Sequence, residues 1–254
     1  MIAILLVGMT GCGDDSSTGP DPKGEAPTIP DLATYSQPDI SFFQNNMPEK
    51  AKNSSGNYRA AYQTVTVSSS ISMIGTIFLG YINPAYDEAG QLNGGKWEWS
   101  YGGSAQGASF NVTTTAAPQG NRYKWTTIIS GDDGQGNSYK NLKIMEGITT
   151  KNGKEGQWSF YVHGDDNQTI EGSFNSEWTA QSETNRELTV DIQDNGTVEV
   201  EVNYTENSPN HTMIFDPQDG EEITIQWNSD TGIGSIETVD GKKCWDKNLA
   251  NTPC

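Results

Sequence analysis

An alternation of apolar and polar residues sets in at Lys96 and continues through most of the remaining chain. Trp97, Trp99 and Tyr101 fall on one side, with Glu98 and Ser100 on the other. The same period of two recurs at Phe110 and Val112, at Trp158, Phe160 and Val162, and at Leu188, Val190 and Ile192. It returns at Val198, Val200, Val202 and Tyr204, at Met213 and Phe215, and at Ile223, Ile225 and Trp227. Successive side chains of a strand point to opposite faces, so each run predicts a strand with one buried and one wet face. Asn152-Gly153, Asp194-Asn195-Gly196, Asp219-Gly220 and Asp240-Gly241 supply residues that tolerate the positive φ of tight hairpins. About ten strands are expected between residues 96 and 238. The predicted fold class is mainly β, an antiparallel meander closed as a barrel or folded as a sandwich, with one N-terminal helix packed on it.

That helix is the least regular part of the pattern. Val67, Ile71, Ile74, Phe78 and Ile82 are spaced as a helical stripe, while Val65, Val67, Ser69, Ile71 and Met73 also alternate like a strand. The stretch 58–82 is read as a buried helix covering the sheet. Its first half is rich in Thr, Ser and Gln, and only Met73 to Ile82 is truly apolar, too short to cross a bilayer. A membrane-spanning barrel would also alternate, with its apolar face outward. Several of the strands here carry only three or four apolar positions, which argues against it.

Composition narrows the partners. The chain has 254 residues, 33 acidic against 15 basic, and a net charge of −18. Phosphate binding needs a basic footprint, so a nucleic-acid partner is excluded. The hydrophobic fraction is 33%, and the 28 glycines bring the chain close to an ordinary globular composition.

The N-terminus reads Met1 to Gly11, MIAILLVGMTG, an apolar run that stops at Cys12. Small residues Thr10 and Gly11 precede the cysteine, with Met9 where Leu is preferred. This stretch resembles a bacterial lipoprotein signal ending in a lipobox. The resemblance implies that residues 1–11 are a cleaved signal peptide. It also implies that Cys12 carries diacylglycerol on its sulfur and an acyl chain such as palmitate on its new amino terminus, since two or more chains give stable anchoring. Residues 12–40 are rich in Pro, Gly, Ser and Asp and read as a disordered tether, followed by a single β-rich domain over 41–254. The expected place is the bacterial outer membrane, facing the periplasm or the cell surface. Asp14 and Asp15 stand where some Bacteroidetes-like bacteria use acidic residues to direct surface export. Export puts the chain in an oxidising compartment, and lipidation of Cys12 leaves Cys244 and Cys254 as the natural disulfide pair.

Candidate chemistry is sparse. The chain has two histidines, His163 at the end of a strand and His211 at the start of another, both read as exposed. No Gly-x-Ser-x-Gly elbow accompanies them. Glu199 and Glu201 share one strand face, as solvated acids or as a carboxylate pair. Asp132 and Asp133, or Asp165, Asp166 and Asn167, offer oxygen ligands of the kind calcium takes, but they lack EF-hand spacing and are also ordinary turn residues. No catalytic residue, cofactor or metal site is therefore assigned. Trp97, Trp99, Trp125, Trp158, Trp178 and Trp227 form the candidate binding set. Such rings either pack a core or line a cavity for an apolar or carbohydrate ligand. The function expected is a non-catalytic, lipid-anchored binding module, with a structural or assembly lipoprotein as the alternative.

Overall fold

The computed structural model describes residues 26–27, 37–48, 56–80, 90–105, 108–132, 134, 138–164 and 169–254, with the backbone alone for 73–80 and 105. Residues 1–11, Cys12 and most of the expected tether lie outside the described residues. A short helix, α1 (Ser41–Asn45), and a long one, α2 (Gly56–Gly80), precede the strands. The first seven strands are β1 (Gln91–Asn93), β2 (Lys96–Ala105), β3 (Ala108–Gln119), β4 (Arg122–Asp132), β5 (Ser138–Thr150), β6 (Glu155–His163) and β7 (Ile170–Ser182). The remainder are β8 (Asn185–Asp194), β9 (Thr197–Asn207), β10 (Asn210–Pro217), β11 (Ile223–Asn228), β12 (Gly234–Thr238), β13 (Gly241–Trp245) and β14 (Asn251–Thr252). All fourteen belong to one antiparallel sheet in simple sequence order, with β1 and β14 at its ends. The mainly β meander is as expected. Eleven strands, β2 to β12, occupy the stretch in which about ten were anticipated, and β1, β13 and β14 lie beyond it.

The register explains the core. Directly opposed residues of antiparallel neighbours share a face. One transverse row therefore runs Trp97, Ala116, Trp125, Gly147, Trp158, Ser176, Val190 and Val202 across eight strands. Large and small residues alternate along its first half, so each indole lies over a neighbour too small to collide with it. The next row places Gly156 opposite Trp178, and a third places Gly234 between Trp227 and Trp245. The opposite face carries Glu98, Thr115, Thr126, Glu146, Ser159, Asn175, Asp191 and Glu201 in one row, and it is wet.

Glycine at these positions is a packing requirement. A Cβ on Gly234 would stand 2.1 Å from Trp245 Cζ2 and 2.5 Å from the Gln226 carbonyl oxygen. Neither the buried ring nor the ladder backbone can yield cheaply. Gly234→Ala is expected to cost about 2–3 kcal/mol in urea denaturation, the upper range for overpacking. An exposed control, Gly56→Ala, meets nothing within 4 Å and should be neutral or stabilising.

The helix at 56–80 forms as anticipated, but it buries a different side. Tyr58, Ala61, Val65, Ser68, Ser69 and Ser72 are buried, whereas Val67 is 52% exposed. Ile71 is only partly buried, the Ile74 and Phe78 side chains and all of Ile82 lie outside the described residues, and the expected stripe is corrected accordingly. Two contacts set the rotation. Tyr58 stacks on Phe43 of α1 at 5.7 Å and meets Trp245 edge-on at 5.6 Å. Serines further along the same face are small enough for the helix to sit close to the strands. No described helix is long and apolar enough to cross a membrane.

Candidate functional site

The alternation that builds the core also carries polar residues to the buried face. Arg186 precedes Leu188 and Val190 on that face of β8, Glu206 follows Val202 and Tyr204 on β9, and His211 precedes Met213 on β10. Pairing of Arg186 with Glu206, Glu206 with His211, and His211 with Trp227 sets them in one row across four strands. Arg186 is 8% exposed, Glu206 3% and His211 3%.

The cluster is closely connected. Arg186 Nε donates to Glu206 Oε2 at 2.8 Å. The Tyr204 hydroxyl lies 3.2 Å from the same carboxylate oxygen and 2.9 Å from His211 Nδ1. It also accepts the Asp39 backbone N–H at 3.2 Å, which ties the segment before α1 to the sheet. The His211 ring stacks on Trp227 with 4.9 Å between centroids and a 5° interplanar angle. Its Nε2 and the Trp227 Nε1 are buried without a hydrogen-bond partner.

Burial governs the protonation of this group. Desolvation pulls the His211 ring below its ordinary value, opposed by the charges of Glu206 and Asp39 and assisted by Arg186. Desolvation likewise pushes the Tyr204 phenol far up, so it remains a neutral hydroxyl. At Asp39 burial pushes the carboxyl up, but the Ser41 N–H and hydroxyl, with His211 and Arg186, hold it below the usual range. Arg186, Glu206, Tyr204 and His211 form one buried hydrogen-bonded group, at most 8% exposed.

The wet face has its own smaller cluster. Tyr161 donates to Glu146, whose other oxygen lies 3.1 Å from Lys143 Nζ, and that ammonium stands 4.9 Å from the Tyr161 ring centre. The hydrogen bond from Tyr161 is the main reason that Glu146 titrates below its usual value, while desolvation and Glu146 push Tyr161 up to about 12. A depression of about 120 Å³ lies nearby, lined by residues that include Arg122, Glu155, Gly156, Glu177 and Trp178. Ligand pockets for drug-sized molecules generally hold roughly 300–1,000 Å³.

The residues singled out from sequence are placed as follows. Trp97, Trp99, Trp125, Trp158, Trp178 and Trp227 are at most 8% exposed and belong to one core cluster. Trp125 stacks on Trp99 at 6.0 Å and donates from Nε1 to Thr149 Oγ1 at 2.8 Å, and Trp178 Nε1 donates to the Gly153 carbonyl at 2.9 Å. Cys244 and Cys254 are joined in a disulfide with Cα atoms 5.2 Å apart. Glu201 accepts from Asn203 Nδ2 at 2.6 Å on the wet face. Asp132 accepts from the Ser109 hydroxyl at 2.5 Å and the Gly134 N–H at 3.2 Å, while Asp133, Asp165, Asp166 and Asn167 lie outside the described residues. Among the described residues, no cluster of His, Cys, Asp and Glu could hold a metal ion.

The histidines differ from expectation. His211 is buried rather than exposed, because it falls on the apolar parity of β10 and stacks in the aromatic row. His163 is half-buried, with Nε2 2.8 Å from the Lys143 carbonyl oxygen on β5, and it stands where the β6–β7 register shifts. The buried cluster itself was missed. Its signal is a charged residue standing at an apolar position of the alternation, as Glu206 does two residues beyond Tyr204. Compared with known family models, curated proteins and solved structures, the chain matches none.

Proposed function

We propose that the chain is a lipid-anchored lipoprotein of the bacterial outer membrane, displaying a non-catalytic β domain to the periplasm or the cell surface. One observation carries this reading: the apolar run Met1 to Gly11 ends at Cys12 and is followed by a Pro-, Gly- and Ser-rich stretch. The filled aromatic core supports action through the surface, as a structural or assembly partner in the envelope, because the six indoles are occupied with one another and with small neighbours. A second reading, binding of a carbohydrate, is favoured by the depression of about 120 Å³, where Arg122, Glu155, Gln157 and Glu177 present charged and amide groups suited to sugar hydroxyls.

The anchor is tested by growing cells with radioactive palmitate. The full chain is expected to take up label, and Cys12→Ala is expected to lose it. Equal labelling of the two proteins removes the anchor.

A further inference from the structure

We propose that one end of the sheet faces the membrane and that its basic corner, Lys96, Arg122, Lys151 and Lys154, docks on anionic phospholipid headgroups. The inference rests on the anchor at Cys12 and adds to it an orientation and a lipid class.

A meander in simple sequence order has two unlike ends. The turns joining β1 to β2, β3 to β4, and every second pair after them lie at one end, the proximal end. The remaining turns lie at the distal end. The chain comes onto the sheet at the proximal end. Asp39 donates its N–H to Tyr204, three residues before β9 finishes, and Phe43 packs on Trp227, one residue before β11 finishes. Read as a flexible coil, the roughly 25 residues from Cys12 to Ser36 span about 25–30 Å. The 13-residue strands β5 and β7 are about 43 Å long. A domain anchored this way rests with its proximal end toward the bilayer, because the inverted domain would need the tether to run the length of the sheet as well.

Charge divides along the same axis. The first three proximal turns, with the strand residues that bound them, carry Lys96, Arg122, Lys151 and Lys154 against one acid, Glu155. The later proximal turns add Glu183, Asp230 and Asp246 against Lys247, which confines the positive corner to β1–β6. Among the described residues, the distal turns and their bounding positions carry Asp132, Asp194, Asp219, Glu221, Glu222 and Asp240, and no lysine or arginine.

The four basic side chains are loosely engaged within the chain. Arg122 meets Glu155 at 3.5 Å with the two side chains 56% and 51% exposed, an ion pair that solvent screens. Lys154 Nζ donates to the Gln181 carbonyl at 2.8 Å, and Lys151 Nζ stands 5.7 Å from the Tyr123 ring centre. A guanidinium offers five donors and an ammonium three, so each keeps donors for phosphate oxygens. The net charge of −18 does not cancel this corner. Asp132 stands at the other end of the 11-residue β4, about 35 Å from Arg122, whereas the Debye length at physiological salt is about 8 Å. Anionic headgroups therefore attract the basic corner and repel the distal turns, which reinforces the orientation set by the tether.

The experiment is amide paramagnetic relaxation on the chain from Cys12 onward, anchored in lipid nanodiscs of phosphatidylglycerol and phosphatidylcholine that carry a gadolinium-chelating headgroup. Copurification with the discs reports the anchor separately. A chain that fails that step is coupled to a maleimide lipid through Cys12, the one thiol left by the Cys244–Cys254 bond, so the orientation is still read. The enhancement at Asn121 and Asn152 is expected to exceed that at Asn195 and Gly220 by about tenfold or more, given a separation of about 35–43 Å. In discs of phosphatidylcholine alone, or in Lys96→Gln, Lys151→Gln, that ratio is expected to fall by about threefold or more. Equal enhancement at the two ends, or more at the distal end, overturns the proposal without any variant. A ratio unchanged by both the neutral lipid and the variant overturns the headgroup docking. Shifts of the proximal amides that follow protein concentration without discs give the surface to a second copy of the chain and overturn it too.

Discussion

Glu206→Leu is expected to destabilise the chain by about 3–5 kcal/mol, because it strips a guanidinium of the carboxylate at its side inside the core. The pair is 8% and 3% exposed, so solvent cannot take over the lost role as it would at a surface. Arg186→Met should cost a similar amount by leaving Glu206 buried beside the Tyr204 hydroxyl alone. The double variant Arg186→Met, Glu206→Leu is expected to recover most of the loss, since a matched apolar pair fills the row without an uncompensated charge. Urea denaturation of the four proteins measures the cycle. A single variant losing less than about 1 kcal/mol, or a double variant as unstable as the singles, shows that the two side chains are not coupled.

Much of the sheet is visible in the sequence where the inner positions are large. β2, β6, β8, β9 and β11 announce themselves because Trp, Phe, Val, Ile and Leu alternate with polar residues. β5 and β7 are harder to see for a physical reason. Their inward positions include Gly147, Thr149 and Ser176, small residues that make room for Trp125, Trp158 and Tyr123 on the neighbouring strands. A period-two search looks for bulk along one strand, whereas this core is filled by bulk on alternate strands. The complementary signal is present across strands: a glycine inside a strand opposite an indole marks a shared face, as with Gly156 and Trp178. The terminal pair Cys244–Cys254 was legible for a different reason, a leftover cysteine assigned to lipid by the leader.

The buried cluster was less legible because composition hides it. With 33 acids in the chain, one glutamate draws no attention. Parity does distinguish it. Glu199 and Glu201 lie on the wet parity of β9, and Glu206 lies on the dry parity after Tyr204, so the two kinds of acid can be separated without coordinates. His211 was read as a strand end and hence as exposed. The strand begins at Asn210, but Phe43 of α1 packs on the same Trp227 ring that His211 stacks against, and no local pattern in β10 encodes a partner supplied from residue 43.

Trp125→Ala is expected to cost about 3–5 kcal/mol and to lower the thermal midpoint by roughly 10 °C or more. The ring is fully buried, contacts Trp99, Tyr123 and Trp158 at 6.0–6.1 Å, and satisfies Thr149, whose hydroxyl would lose its donor. Gly147 and Ala116, which flank it in the row, carry no side chain that could fill the space. Tyr161→Ala on the wet face, which removes a comparable aromatic area, should cost less than about 1.5 kcal/mol because the ring is only half-buried. This contrast separates the two readings of the tryptophans. Rings that form the core are required for stability, and their loss is felt with no ligand present. Rings that line a binding cavity would be dispensable for folding and required for capture, so a stable Trp125→Ala protein that failed to retain glycans retained by the unaltered chain would return the tryptophans to a ligand site and withdraw the assembly reading.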